Sequence, residues 1–257
     1  MNKQCSFLSL FKAEHYKTKN NIAVWVVLLI PSVIIVGTAF YIMSKVNSTS
    51  ESSSGNLWIS LLGSYSFVFF SLFFPLILAI FCQAMNDLEY KNNCWKQLFT
   101  LPVHRSKIFY AKILYISEIV FLSLCTAYAV FLLSGYILSY ILPHCGFQDY
   151  DIRMSALIFF GKCLIGSLAI TYIQFLLSLV FKKFVLPIGI ACFFLILSLF
   201  LFQSEYRGFI PYISLYISFE QFSSETLNVI GKNDYLNMGY ITLSLTGLFS
   251  IFVRAKI

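Results

Sequence analysis

Charge is scarce in this chain. Only 11% of its 257 residues are Asp, Glu, Lys or Arg, against roughly one quarter in soluble domains, while 59% are hydrophobic. A soluble coat cannot be built from so few charges, so the composition is that of an integral membrane protein. Histidine is as sparse. His15, His104 and His144 stand in separate polar segments, none of them in H-E-x-x-H, which excludes zinc proteolysis of that type. None lies in an apolar run, where an intramembrane Ser/His pair would need it, and no paired-glutamate motif is present. The 12 glycines open no G-x-x-x-x-G-K-[ST] loop, so the chain does not cradle ATP phosphates by that route. Seven cysteines include no C-x-x-C pair, and only Cys145 falls clearly on the outer side. Neither a structural disulfide nor a metal site is expected.

What the chain has in abundance is apolar length. A hydrocarbon core of about 30 Å takes about 20 helical residues, and six segments qualify: 22–43, 57–81, 113–142, 155–181, 184–202 and 235–253. The first holds 13 Leu, Ile, Phe or Val residues and no charge. At roughly −0.5 kcal/mol each, those residues favour insertion by about 6 kcal/mol. Its apolar run exceeds that of a signal peptide, so it is expected to stay attached. The last span is the weakest, diluted by Asn237, Gly239 and Gly247. With the N-terminus cytoplasmic, 13 of the 18 basic residues fall on the inner side, which predicts both termini inside. The net charge of +7 follows from that topology, since the basic residues form no continuous soluble face for nucleic acid. The fold class is therefore an all-α membrane protein, a single transmembrane domain over 1–257 with six transmembrane helices.

Three segments are more than spans. Residues 1–21 set Phe7, Leu8, Leu10 and Phe11 against Lys12, Glu14, His15 and Lys17, a pattern for a helix lying along the cytoplasmic interface. Between the second and third spans, 87–112 reads DLEYKNNCWKQLFTLPVHRSKIFYAK. Here Trp95, Leu98 and Phe99 are related as i, i+3 and i+4 and share one helical face. Pro102 stops that short helix, and a second begins near His104 to Ser106 and runs into the third span. The third segment, 203–234, carries Phe209, Pro211, Tyr212, Tyr216, Phe219 and Phe222. It is apolar yet too interrupted to span, and is read as an outer re-entrant or interfacial hairpin between spans 5 and 6. Pro31 and Pro75 fall inside spans and predict bends there.

The six-span layout with a transverse helix after span two resembles the permease subunits of type-2 ABC exporters. The residues that carry the likeness are Glu89, the run NNCWKQLF over 92–99, Leu101-Pro102-Val103, Arg105 and Lys112. Length, the basic amphipathic N-terminus and the Trp-Lys-Gln-Leu core are most like the lantibiotic (bacteriocin) immunity permeases. The residue after Pro-Val is often a small hydroxyl residue in such permeases. Here it is His104, so Ser106 is expected to take over the helix cap. The resemblance implies a bacterial cytoplasmic membrane location, an ABC ATPase subunit as partner, and a second permease copy or related permease alongside. ATP and Mg would sit on the ATPase, with no cofactor in this chain. It also implies export of an antimicrobial peptide or another amphipathic compound, giving self-protection.

On that reading, 87–112 is the coupling segment, with Glu89, Trp95, Leu98, Phe99 and Arg105 as the ATPase-docking residues. An aromatic-apolar anchor of this kind dominates interface energies, and flanking charges set its orientation. No catalytic residue is expected. Charged groups near spans are candidates for a substrate path: Glu118, six residues beyond Lys112; Lys162, seven residues into span four; and Glu220 in the outer hairpin, with Glu205 and Glu225 available to a cationic peptide. Local pairing or snorkelling is the plainer reading of Glu118 and Lys162. The alternative function is a non-transporting membrane anchor that recruits a cytoplasmic ATPase or assembly factor through the same handle.

Overall fold

Every regular element among the described residues is helical, as the composition and the apolar runs require. The computed structural model describes residues 7–48, 57–91, 104–142, 152–181, 183–224 and 230–254. Helix α1 (Phe7–Thr18) leads into α2 (Ile22–Ser48). Two short helices, α3 (Leu57–Leu61) and α4 (Ser64–Val68), follow, then a π-helical segment (Phe69–Phe73) and α5 (Phe74–Lys91). Next come α6 (Arg105–Ile141), α7 (Arg153–Val180) and α8 (Val185–Phe200). Two 3-10 turns (Glu205–Phe209 and Pro211–Ile213), α9 (Ser214–Ser223) and α10 (Lys232–Arg254) complete the described chain.

Four of these stretches are long and apolar enough to cross a membrane: Ile22–Lys45, Tyr65–Tyr90, Arg105–Ile141 and Arg153–Val180. Val185–Phe200 is a shorter apolar helix, about 24 Å long at 1.5 Å per residue. Helix α10 has the length, but Lys232, Asn233, Asp234 and Asn237 in its first two turns lower its hydropathy. At 37 residues α6 is about 55 Å long, far more than a hydrocarbon core needs, so it projects beyond the membrane. It begins at Arg105, as the Pro102 break predicts. His104 occupies the capping position in an extended conformation and makes no side-chain cap bond. Ser106 lies inside the helix and does not cap it, a departure from expectation: the turn closes from two residues earlier, through Lys107 N–H donating to the His104 carbonyl.

The expected second span is the irregular one. Leu62 and Gly63 interrupt it, and a Cβ on Gly63 would lie 2.6 Å from the Ser60 carbonyl oxygen, so only glycine fits that turn. The π-helical turn then ends just before Pro75, whose missing amide proton already loosens the hydrogen-bond ladder there. By contrast α2 runs unbroken through Pro31.

Helix α7 is the hub, packing against α5, α6, α8, α9 and α10, while α2 lies along α6 and α1 crosses α6 near its start. Aromatic contacts fix one end of the bundle. Trp58 packs against Phe131 and Tyr136, with centroids 5.6 and 5.9 Å away, and leans on the bare backbone of Gly135. The expected hairpin folds back onto the bundle. Phe222 meets Phe159 at 5.1 Å, Phe219 meets Phe67 at 4.6 Å, and Tyr212 stacks on Phe194.

A Cβ at Gly135 would fall 2.0 Å from the Trp58 ring, whereas one at Gly37 meets nothing within 4 Å. Gly135→Ala is expected to lower stability by about 1–3 kcal/mol through overpacking, read as a fall in Tm in lipid nanodiscs. Gly37→Ala should leave Tm level or slightly raised.

Candidate functional site

The residue pattern of α1 explains why a charged group ends up inside the protein. Phe7, Leu10, Phe11, Glu14 and Thr18 recur at helical spacing on the face turned toward the bundle, and Glu14 and Thr18 are buried there. Opposite them, α5 brings Glu89 and α6 brings Lys112. Glu89 is 0% exposed and Lys112 3% exposed. The Glu89 carboxylate accepts from both Lys17 and Lys112. Glu14 lies 3.2 Å from Lys17 and 3.5 Å from Lys112. Two carboxylates and two ammonium groups thus form a neutral, mostly buried network joining three elements. Around it, the Thr18 hydroxyl bonds the Tyr115 hydroxyl, and His15 packs edge-on to Tyr115 at 4.8 Å.

Desolvation dominates such a site, and mutual attraction repays it only while every partner is present. Burial on its own would raise the Glu14 carboxyl, but the ammonium groups of Lys112 and Lys17 outweigh it and hold the group below its ordinary value of 4.5.

The position of this network gives it meaning. Glu89 lies two residues before the end of α5, and Lys112 two turns into α6. The segment between those helices, 92–103, contains the expected docking residues Trp95, Leu98 and Phe99, which lie outside the described residues. Its two roots are therefore tied to each other and to α1 by charge. Of the other expected docking residues, Arg105 is exposed at the first position of α6, and Glu89 is not at the surface but at the centre of the network.

The three expected path residues fall at two opposite ends of the bundle. Glu118 lies on α6 beside α1, its Oε2 2.9 Å from His15 Nε2. Lys162 is 3% exposed on α7 and does not snorkel. Its Nζ reaches Asp234 Oδ2 at 2.7 Å and Gln221 Oε1 at 3.0 Å. Asp234 also accepts from the Gly231 amide at 2.8 Å and sits in the first turn of α10, where the helix dipole favours a carboxylate. This pair joins α7, α9 and α10 and pins the folded-back segment. Glu220, one residue from Gln221, pairs at 2.8 Å with Arg207, both half-exposed. Glu225 lies outside the described residues.

Glu14, Lys17, Gln221 and Asp234 are residues that residue order does not single out as part of a site. For Glu14 a signal exists, a carboxylate on the apolar stripe of an amphipathic helix. For Asp234 the signal is weaker, an acid three residues into a helix. Neither names its partner. Among the described residues no group of His, Cys, Asp and Glu is arranged to hold a metal ion.

A family model described as "ABC-2 family transporter protein" matches residues 10–198, close to three quarters of the chain, from within α1 to the end of α8. No curated protein matches, and no solved structure matches.

Removing one member of the network strands a buried charge. Lys112→Met is expected to cost about 3–5 kcal/mol, and the double variant Lys112→Met/Glu89→Gln clearly less than the sum of the two singles, measured by thermal unfolding. Because Glu14 titrates below its ordinary value, its stabilisation is complete above about pH 4.5 and is lost as pH falls through the lowered value. Protease cleavage of α1 in nanodiscs should accelerate on acidification in that range and not between pH 6 and 8.

Proposed function

Because the chain belongs to the ABC-2 family of transporter proteins, we propose that it is the membrane-spanning subunit of an ATP-driven exporter whose motor docks on residues 92–103. Family membership implies an ABC ATPase as a separate subunit. In this reading Trp95, Leu98 and Phe99 fill a cleft on the ATPase, and Arg105, exposed at the first position of α6, orients the contact. Two such permeases, identical or related, complete the path. The topology is six spans with both termini cytoplasmic in a bacterial cytoplasmic membrane, α8 and α10 serving as spans five and six.

The observation that carries this reading is the buried network of Glu14, Lys17, Glu89 and Lys112. A handle can move a bundle only if its roots do not simply slide past each other. Here the roots share ion pairs removed from water, which strengthens them. A push on the handle is therefore delivered to α5, α6 and α1 together. Because α6 is one continuous helix from Arg105 to Ile141, tilting its first turns tilts its whole length. Glu89 acts here as a positioning residue behind the docking face and not as a contact.

For the cargo, we favour an antimicrobial peptide captured at the membrane, or another amphipathic compound, with immunity to that peptide as the biological outcome. The support is the resemblance over 87–112 and a half-exposed carboxylate, Glu220, on the folded-back segment at the far end. Glu118 and Lys162 complete the proposed path as residues that reposition when α6 and α7 move.

Trp95→Ala/Phe99→Ala is expected to leave the protein folded and in the membrane but to abolish peptide-stimulated ATP hydrolysis by the reconstituted complex and to remove peptide resistance in cells. Export unchanged in the double variant would contradict the docking role. An ATPase that co-purifies with the chain while deletion leaves peptide resistance intact would favour the anchor function instead.

A further inference from the structure

The interface between α5 and α7 carries a row of buried polar side chains that the described residues do not satisfy. On α5, Gln83, Asn86 and Glu89 follow at i, i+3 and i+6, each step turning about 60° around the helix, so that Asn86 faces α7 with Gln83 and Glu89 on either side of it; all three are 0% exposed. On α7, Gln174 is likewise 0% exposed. Asn86 donates to Ser178, Cys82 to the Thr171 carbonyl at 3.4 Å, and Tyr90 to the Leu179 carbonyl at 3.1 Å. These contacts set the register of two helices running side by side, and they place Gln83 level with Gln174, one turn beyond Asn86 and Ser178. Yet Gln83 Nε2 and Oε1, Asn86 Oδ1, Glu89 Oε2 and Gln174 Oε1 have no hydrogen-bond partner among the described residues. Gln174 spends its amide nitrogen on the Tyr212 hydroxyl, beneath the folded-back segment.

Polar groups buried this way carry the full desolvation penalty, and in native structures such groups are satisfied by bound water or an ion. Whichever way the Gln83 amide is turned, it leaves both a donor and an acceptor unpaired, and the remaining atoms are acceptors. A group that both donates and accepts answers that set. A monovalent cation answers only the acceptors, and it would enter without a counter-charge, since the two carboxylates at Glu89's end of the row are already matched by Lys17 and Lys112.

We propose that α5 and α7 enclose a file of bound water running from Glu89 Oε2 past Asn86 and Gln83 to Gln174, inside a single subunit. From Gln83 to Glu89 the helix rises about 9 Å. The two positions are also about a third of a turn apart around the helix, so at a hydrogen-bond spacing of about 2.8 Å the path takes at least about three waters. The file reaches from the charged network at the root of the loop to Tyr212 at the opposite side of the seam. Water there lets the Asn86–Ser178 and Gln174–Tyr212 bonds exchange partners while α5 shifts against α7, so neither helix has to strand an amide as it moves. Only the orphaned atoms call for this water, whatever cargo or motor the protein serves.

The test is water-edited solid-state NMR on the full-length protein in lipid vesicles, with side-chain amides of Asn and Gln labelled. Magnetisation from water is expected at Gln83, Asn86 and Gln174, ahead of its arrival at backbone amides near the fully buried Leu78. Gln83→Leu should abolish the transfer at Gln174, and the wild-type result stands even if that variant fails to fold. Transfer no faster than at the Leu78 backbone would overturn the proposal by showing a dry seam. Side-chain shifts that respond to potassium or sodium without any water transfer would overturn it in favour of an ion.

Discussion

Three buried side chains, Glu14, Glu89 and Lys112, and the partly exposed Lys17 pair with one another at one end of this bundle, and the rest of the arrangement depends on them. Glu14, Lys17, Glu89 and Lys112 are neutral as a set and costly in any subset. Their attraction fixes α1 across the start of α6 and fixes the end of α5 against both. Without it, α1 would be a loosely held interfacial helix, and the segment after Lys91 would spring from two independent ends. With it, a short stretch of chain gains a rigid footing in two membrane-crossing helices.

The opposite end is built on the same principle with fewer parts. Lys162 and Asp234, joined by Gln221, stitch α7 to α9 and α10, and the aromatic contacts of Tyr212, Phe219 and Phe222 bury the folded-back segment against the hub helix. Charge supplies direction and aromatic packing supplies area. Between the two ends, α7 and α5 share buried polar contacts, with Cys82, Asn86 and Tyr90 bonding Thr171, Ser178 and Leu179.

Much of this architecture is legible from residue order because lipid leaves few choices. Uninterrupted apolar runs become helices that satisfy their own backbones, so the helices of 22–48, 105–141 and 153–180 follow from Ile22, Arg105 and Arg153 onward much as read. The start of α6 is legible because Pro102 breaks the helical pattern just ahead of it. The break at Gly63 is not, since a single glycine in an apolar run reads as continuous until Ser60 is seen to crowd it. Charges are the least legible. Lys162 looks free to snorkel because its partner Asp234 is 72 residues away. Glu89 looks like a surface contact because its neighbours in sequence are polar, whereas the lysines that bury it come from α1 and α6. Pairing across a bundle is a tertiary property, and the local hint is a charge standing on an apolar stripe, as Glu14 does.

Under the proposed function, α1 and the start of α6, tied together by the network, move as one body when the motor acts. Pulsed electron-spin distances in the reconstituted complex test this directly, with labels at Tyr16 and Tyr110, both exposed, and a third at Tyr206 in the folded-back segment. Trapping ATP should leave the 16–110 distance unchanged and shift the 110–206 distance. A change in the 16–110 distance, with α1 parting from α6, would contradict the account.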